Sequence, residues 1–226
     1  MKDLYFGKTV GAKFNEDGSV RRYPGNTIIS LLDPNTEVFA RIQHARESLK
    51  RSAIGRCITT LPDISLHMTA IEGVCDQVRR PELWTSRLPL DAPLEAVDDL
   101  FEREWGHIPP LGRVEMTFSH LRIGGGVGVG LVPSHGDDNQ RIRAWRDTVG
   151  QHLGLRFPGH DTYEFHISLA YGIYVPTREE QDDLLAWKEA FDHEYALKVF
   201  TFVVPEPSLT FFDSMFFFDT KRIVRH

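Results

Sequence analysis

The chain has 226 residues, 41% of them apolar and 26% charged, enough to bury the core of one large two-lobed domain. Its 26 Lys and Arg stand against 32 Asp and Glu, a formal net charge of −6, so it lacks the broad positive field of a protein that grips long nucleic acid. No apolar run nears the roughly 18 residues that span a bilayer, Met1-Lys2-Asp3 opens no signal peptide, and Cys57 and Cys75 read as buried free thiols, so a cytoplasmic location is expected.

In chain order, Arg21-Arg22 reads as a solvated basic pair, and Asn26 to Leu32 as the first strand. After the turn Asp33-Pro34-Asn35 comes a helix from Thr36 to Arg51, with Val38, Ile42, Ala45 and Leu49 as its apolar stripe and Arg41, Arg46 and Lys50 left for solvent. In Ile64 to Ala70 the apolar Leu66, Met68 and Ala70 alternate with Ser65, His67 and Thr69, so a strand there presents His67 and Thr69 on one face. A proline-bearing linker from Pro81 to Pro93, holding Arg79-Arg80 at its edge, leads to a helix Leu94 to Glu104. A strand Val114 to Ile123 then puts Met116, Phe118, His120 and Arg122 on one face, where His120 and Arg122 either line the cleft or decorate the strand's exposed end.

The glycine run Gly124-Gly125-Gly126 precedes a strand, Val127 to Val132, and lacks a Walker lysine, so it reads as a hairpin turn and not as a phosphate loop. Next come a turn Pro133 to Asp137 and a helix Asp138 to Leu153, with Ile142, Trp145, Val149 and Leu153 inward and Gly154 as the C-terminal cap. The next strand carries His166 and Ser168 on one face with Ala170. Strict alternation sends Phe165, Ile167, Leu169 and Tyr171 to the other, so Tyr171 reads as core. A helix Arg178 to Lys198 opened by Thr177, and apolar runs Val199 to Val204 and Leu209 to Phe218, complete the chain; an aromatic of Phe216-Phe217-Phe218 could stack on a base.

The plan of strand, turn, helix and histidine strand occurs twice. From Ile29 to His67 is 38 residues, from Val129 to His166 is 37, and the histidines lie 99 apart. A unit of this length is too long for a solenoid repeat and suits an α+β fold of two lobes related by approximate two-fold symmetry, with mainly antiparallel sheets, flanking helices and a cleft between the lobes. The lobes run roughly from 23 to 110 and from 111 to 220 of a single domain, and strand exchange between them is compatible with this division.

One His-x-Thr or His-x-Ser among 10 histidines is most often chance. Two copies, each in an apolar strand and each behind the same upstream plan, point instead to a shared task. Two imidazoles and two hydroxyls converging from opposite sides suit acid-base chemistry on a tetrahedral anion. The pair His67-Met68-Thr69 and His166-Ile167-Ser168 resembles the signature of the two-histidine (2H) phosphoesterase superfamily, the group of RNA 2′-5′ ligase-like and cyclic phosphodiesterase-like proteins. Gly11-Ala12-Lys13-Phe14-Asn15 and Arg22-Tyr23-Pro24-Gly25-Asn26-Thr27 are similar to a bacterial branch described only as a domain of unknown function.

That resemblance implies a duplicated α+β fold and cleavage of cyclic or 2′-5′ phosphodiesters with no metal or other cofactor. His67 and His166 would be catalytic, and Thr69 and Ser168 would bind the non-bridging oxygens. The expected partner is a small phosphorylated molecule, a nucleotide or an RNA end. Two rivals use the same residues differently: a non-catalytic module that binds a phosphorylated ligand in the same cleft, and a hydrolase whose histidines recruit a metal. Neither the oligomeric state nor the assignment of base and acid is legible from the residues.

Overall fold

The computed structural model of the chain describes residues 8–196 and 200–218; Met1-Lys2-Asp3, Lys198 and Val199 lie outside them. In chain order the elements are β1 (Gly25–Leu31), α1 (Glu37–Arg51), β2 (Ile58–Thr60), β3 (His67–Cys75), α2 (Leu94–Trp105), β4 (Glu115–Ile123) and β5 (Gly126–Pro133). They continue with α3 (Gly136–Leu153), β6 (His166–Gly172), α4 (Arg178–Ala196), β7 (Thr201–Val203), β8 (Ser208–Ser214) and β9 (Phe217–Phe218). Short 3-10 turns occupy Ala53–Cys57, Asp63–Ser65 and Pro81–Leu83. Among the described residues no helix is long and apolar enough to cross a membrane.

The strands form one antiparallel sheet in the order β7-β4-β5-β6-β3-β1-β8-β9, with β2 pairing β6 beside that path. The two lobes are the two halves of this sheet. They are joined where β3 meets β6 through one residue pair, Met68 with Ile167. About that point β3, β1 and β8 on one side correspond to β6, β5 and β4 on the other. Strands cross between the halves: β8, near the end of the chain, pairs with β1, while β2 sets Thr60 against Ala170 of β6.

Local caps open α1 and α4 and close α3. The Thr36 hydroxyl accepts the Phe39 N–H at the start of α1, an N-cap of ordinary type. At α4 the Thr177 hydroxyl accepts the Glu180 N–H at 3.3 Å while the Glu180 carboxylate accepts the Thr177 N–H at 2.8 Å, a capping box. Gly154 stops α3 in the left-handed conformation, φ 68°, where a Cβ would be strained. The buried stripe of α1 packs on β6 and β2, in the half of the sheet that does not contain β1. Helix α3 packs on β5 and α2 and reaches β3 through the Arg146 side chain.

Arg146 is buried and donates to the carbonyls of Ala70 on β3 and His160. Its counterpart is Arg46, equally buried, which donates to the Leu61 carbonyl at 2.8 Å and meets Asp63 at 2.6 Å. Helical spacing alone leaves Arg46 to solvent; the structure buries it with its terminal nitrogens on these acceptors and on the Glu47 carboxylate, while its Nε has no partner among the described residues. Leu61 and His160 each lie six residues before a motif histidine, so the two arginines fix equivalent backbone turns leading into β3 and β6. Burial holds the Arg146 pKa down to about 10. Arg146→Ala is expected to cost about 3 kcal/mol in urea unfolding, since two buried carbonyls lose their donor. A loss under about 1 kcal/mol would mean that water replaces the guanidinium without penalty.

Candidate active site

Strand β3 begins at His67, three residues later than the alternation at Ile64 suggests, because Asp63–Ser65 turns in a 3-10 helix. That turn has a use. It aims the Ser65 carbonyl at the ring of His67, whose Nδ1 lies 2.7 Å away. In the other half the Glu164 carbonyl meets Nδ1 of His166 at 3.0 Å. A carbonyl only accepts, so in each ring Nδ1 carries the proton and Nε2 keeps its lone pair. Phe218 adds an edge-on contact to the His67 ring, with centroids 4.7 Å apart.

Antiparallel register at Met68 and Ile167 sets Thr69 beside His166 and His67 beside Ser168. The two imidazoles therefore occupy one diagonal of a four-cornered site and the two hydroxyls the other. Strand spacing and rise put the diagonal at about 8 Å between Cα atoms. All four side chains line a single cavity of about 290 Å³. Met68 and Ile167, both fully buried, point to the opposite face.

Beyond the hydroxyls, each strand carries an extra residue at the same place. Ile29 pairs with Thr69 but Ile28 with Ile71, leaving Ala70 as a bulge; Gly128 pairs with Ser168 but Val127 with Ala170, leaving Leu169 as a bulge. Met68, Ala70 and Ile71 are 0, 0 and 2% exposed, and Ile167, Leu169 and Ala170 are likewise 0, 0 and 2% exposed. A bulge reverses the parity of the residues after it, so Glu72 joins His67 and Thr69 on the cavity wall, and Tyr171 joins His166 and Ser168. Tyr171 is therefore not core, as strict alternation has it, and Ala170 is. The repeated apolar doublets Ala70-Ile71 and Leu169-Ala170, which break period two in both copies, are the sequence signal for this.

Both imidazoles are held in the neutral form. Desolvation dominates at His67 and, against the Ser65 hydrogen bond but with the nearby His166 charge, brings its pKa down to about 4. His166 is lowered by desolvation, opposed by the Glu164 carbonyl and assisted by the Arg122 charge. Thr69 is hydrogen-bonded to the Tyr163 phenol, whose pKa desolvation pushes well up, and the Arg146 guanidinium lies 4.4 Å over the Tyr163 ring. The charged side chains lining the cavity among the described residues are Lys13 and Glu72. Lys13 rests against the rings of Tyr171 and Tyr23, at 5.1 and 5.3 Å.

The remaining candidates separate cleanly. Arg122 is paired with Glu164 at 3.3 Å and lines a second recess next to His166 and Ser168; His120 is exposed and bonds Ser119. Arg21 and Arg22 are exposed. Arg79 is partly buried and pinned by Asp76 and the carbonyls of Leu90 and Ala92, a structural role. Cys57 and Cys75 are free thiols; Cys57 is buried, and Cys75 is partly exposed on the cavity wall. Gly126 opens β5 so close to β6 that a Cβ would lie 2.2 Å from the Ala170 carbonyl. Asp147, His160 and Asp161 come within metal-binding distance of one another, but Arg156 binds both carboxylates, at 3.3 and 2.7 Å, and already supplies the cation.

Residues 13–125 match the model of a family labelled 2H-phosphodiesterase and described as a domain of unknown function, DUF1868. No functionally curated protein matches the chain. Among solved structures, a conserved protein of unknown function from Agrobacterium tumefaciens, ATU0111, superposes with a TM-score of 0.86 at 27% identity, covering 96% of this chain and 97% of that one. TT0787 of Thermus thermophilus has a TM-score of 0.40 at 18% identity over 83% of this chain and 86% of that one.

A nitrogen-detected NMR titration tests the electrostatics of the site. His67 is expected to remain the Nδ1–H tautomer down to a pH of about 4, and His166 to titrate below the ordinary 6.5. Either ring titrating above 6.5 would contradict the desolvated cleft.

Proposed function

Because the chain belongs to the 2H phosphodiesterase family described as DUF1868, we propose that it opens a cyclic phosphodiester, or cleaves a 2′-5′ phosphodiester, with His67 and His166 as paired general base and acid. The observation that carries the proposal is the meeting of both His-x-Thr/Ser motifs on one cavity, each ring tied at Nδ1 and free at Nε2.

In this reading the phosphorus sits over the crossing of β3 and β6. Thr69 and Ser168 donate to its non-bridging oxygens as charge builds there. His67, more strongly desolvated, takes the proton of the attacking water; His166, next to the Glu164 carboxylate, gives its proton to the departing alkoxide. One P–O bond forms, one breaks, and a phosphomonoester and a free hydroxyl result. A proton passed from His67 to His166 through solvent resets the pair. Diester binding stabilises the imidazolium, since the substrate brings a negative charge between two rings that are neutral in the free protein. Each proton transfer is supplied by a side chain, so the chemistry calls for no metal. A cavity of about 290 Å³ suits a mononucleotide, a sugar phosphate or the end of an RNA.

With a 2′,3′-cyclic nucleotide, kcat/KM is expected to be bell-shaped in pH. The base must be neutral, so activity falls as pH drops through about 4. The acid must be protonated, so activity also falls as pH rises past a value below 6.5. The maximum then lies in the mildly acidic range between them. Excess EDTA should leave the profile unchanged; turnover lost with EDTA and restored by zinc or manganese would favour a metal-dependent hydrolase.

A further inference from the structure

The two-fold relation makes the centre of the cavity nearly the same from either direction: histidine faces histidine and threonine faces serine. At the centre a dissymmetric ester meets only the unequal desolvation of the two histidines. Stronger orientation comes from the first paired, cavity-facing positions that differ in kind. These are Glu72 and Tyr171, each five residues after its histidine, each delivered to the cavity by the matching bulge.

The two ends are chemically unlike. Tyr171 lies under the Lys13 ammonium, with its hydroxyl toward Met215 Sδ. Glu72 lies past Thr69, toward Tyr163. Arg146 and Lys13 attract its carboxylate electrostatically, yet among the described residues that carboxylate makes no hydrogen bond and no ion pair. It is open to the solvent of the cavity, while the protein around it raises its pKa by desolvation. A carboxylate placed this way turns up to four acceptor sites to water inside a binding cavity. A ligand that displaces that water must supply donors in its place.

We propose that Glu72 is the specificity-determining residue of the site: its carboxylate takes two adjacent hydrogen-bond donors on one arm of the ester, and so fixes which arm faces which histidine. This rests on the phosphoesterase reading and extends it to a substrate class. The chemistry recognised is a paired N–H edge, as in the adjacent amide and amine donors of guanine. Adenine offers no such pair, and nor does a nitrophenyl group.

The test compares wild type, Glu72→Gln and Glu72→Ala on three probes: 2′,3′-cyclic GMP, 2′,3′-cyclic AMP and bis(p-nitrophenyl) phosphate. A guanine-reading Glu72 predicts that both variants lose about tenfold or more in kcat/KM on cyclic GMP, chiefly through KM, since uniform binding is removed. Cyclic AMP and the nitrophenyl ester should change less than about threefold. An equal fall on all three probes, or none on any, overturns the proposal. Calorimetric binding of guanosine and adenosine 3′-monophosphates to the same proteins keeps the two readings apart. Absence of turnover by wild type sinks the phosphoesterase reading alone, whereas nucleotide affinity indifferent to Glu72→Gln and Glu72→Ala sinks the role of Glu72.

Discussion

One backbone contact sets the geometry of the whole cleft: Met68 of β3 against Ile167 of β6. Antiparallel pairing there is what turns two separate His-x-hydroxyl strands into a four-cornered site, with imidazoles on one diagonal and hydroxyls on the other. A one-residue slip of either strand would turn its histidine to the apolar face and its apolar residue to the cavity, so the apolar residues at the crossing help to hold the register. The rest of the fold defends that crossing. Helix α1 and the Arg146 side chain of α3 reach across it, and Arg46 and Arg146 each hold the turn six residues ahead of a histidine. A buried guanidinium is an expensive way to fix a turn; using it twice at equivalent points makes sense where the aim of a following side chain matters.

From that crossing the chemistry is built in steps. The turns ahead of β3 and β6 direct the Ser65 and Glu164 carbonyls onto Nδ1, which settles the tautomer and hands Nε2 to the cavity. Surrounding protein strips water from the rings and lowers both pKa values. Two neutral imidazoles alone would be a poor acid and base pair; in the proposed reaction the phosphodiester supplies the negative charge that favours protonating one of them. Past the hydroxyls the symmetry ends, and the difference between Glu72 and Tyr171 gives the cavity a direction.

Much of this is legible in the residues. The apolar alternation around His67 and His166 is strict up to the hydroxyl, so period two places His67, Thr69, His166 and Ser168 on the correct faces, and the caps at Thr36, Thr177 and Gly154 are local enough to be read directly. Alternation fails one residue later, because Ala70 and Leu169 are extra residues whose partners are in other strands; parity past them is a property of pairing with β1 and β5, not of the local sequence. Tyr171 is misplaced and Glu72 overlooked for that one reason. Arg46 fails differently. It sits four residues from Ile42 on the buried side of α1, and the Leu61 carbonyl and Asp63, brought up by the fold, join its neighbour Glu47 in pairing the buried guanidinium. The contribution of β8 to the first half of the sheet is likewise long-range, set by its register with β1.

The central claim is that the two histidines act as one unit across the crossing of β3 and β6. It is tested most directly by a double-mutant cycle, measuring kcat on a 2′,3′-cyclic nucleotide for wild type, His67→Ala, His166→Ala and the double variant. Each single variant is expected to lose about 10²- to 10⁴-fold, and the double variant far less than the product of the two, because once either proton transfer is gone the other ring has little left to contribute. Losses that multiply, or a rate indifferent to His67→Ala, would contradict the account.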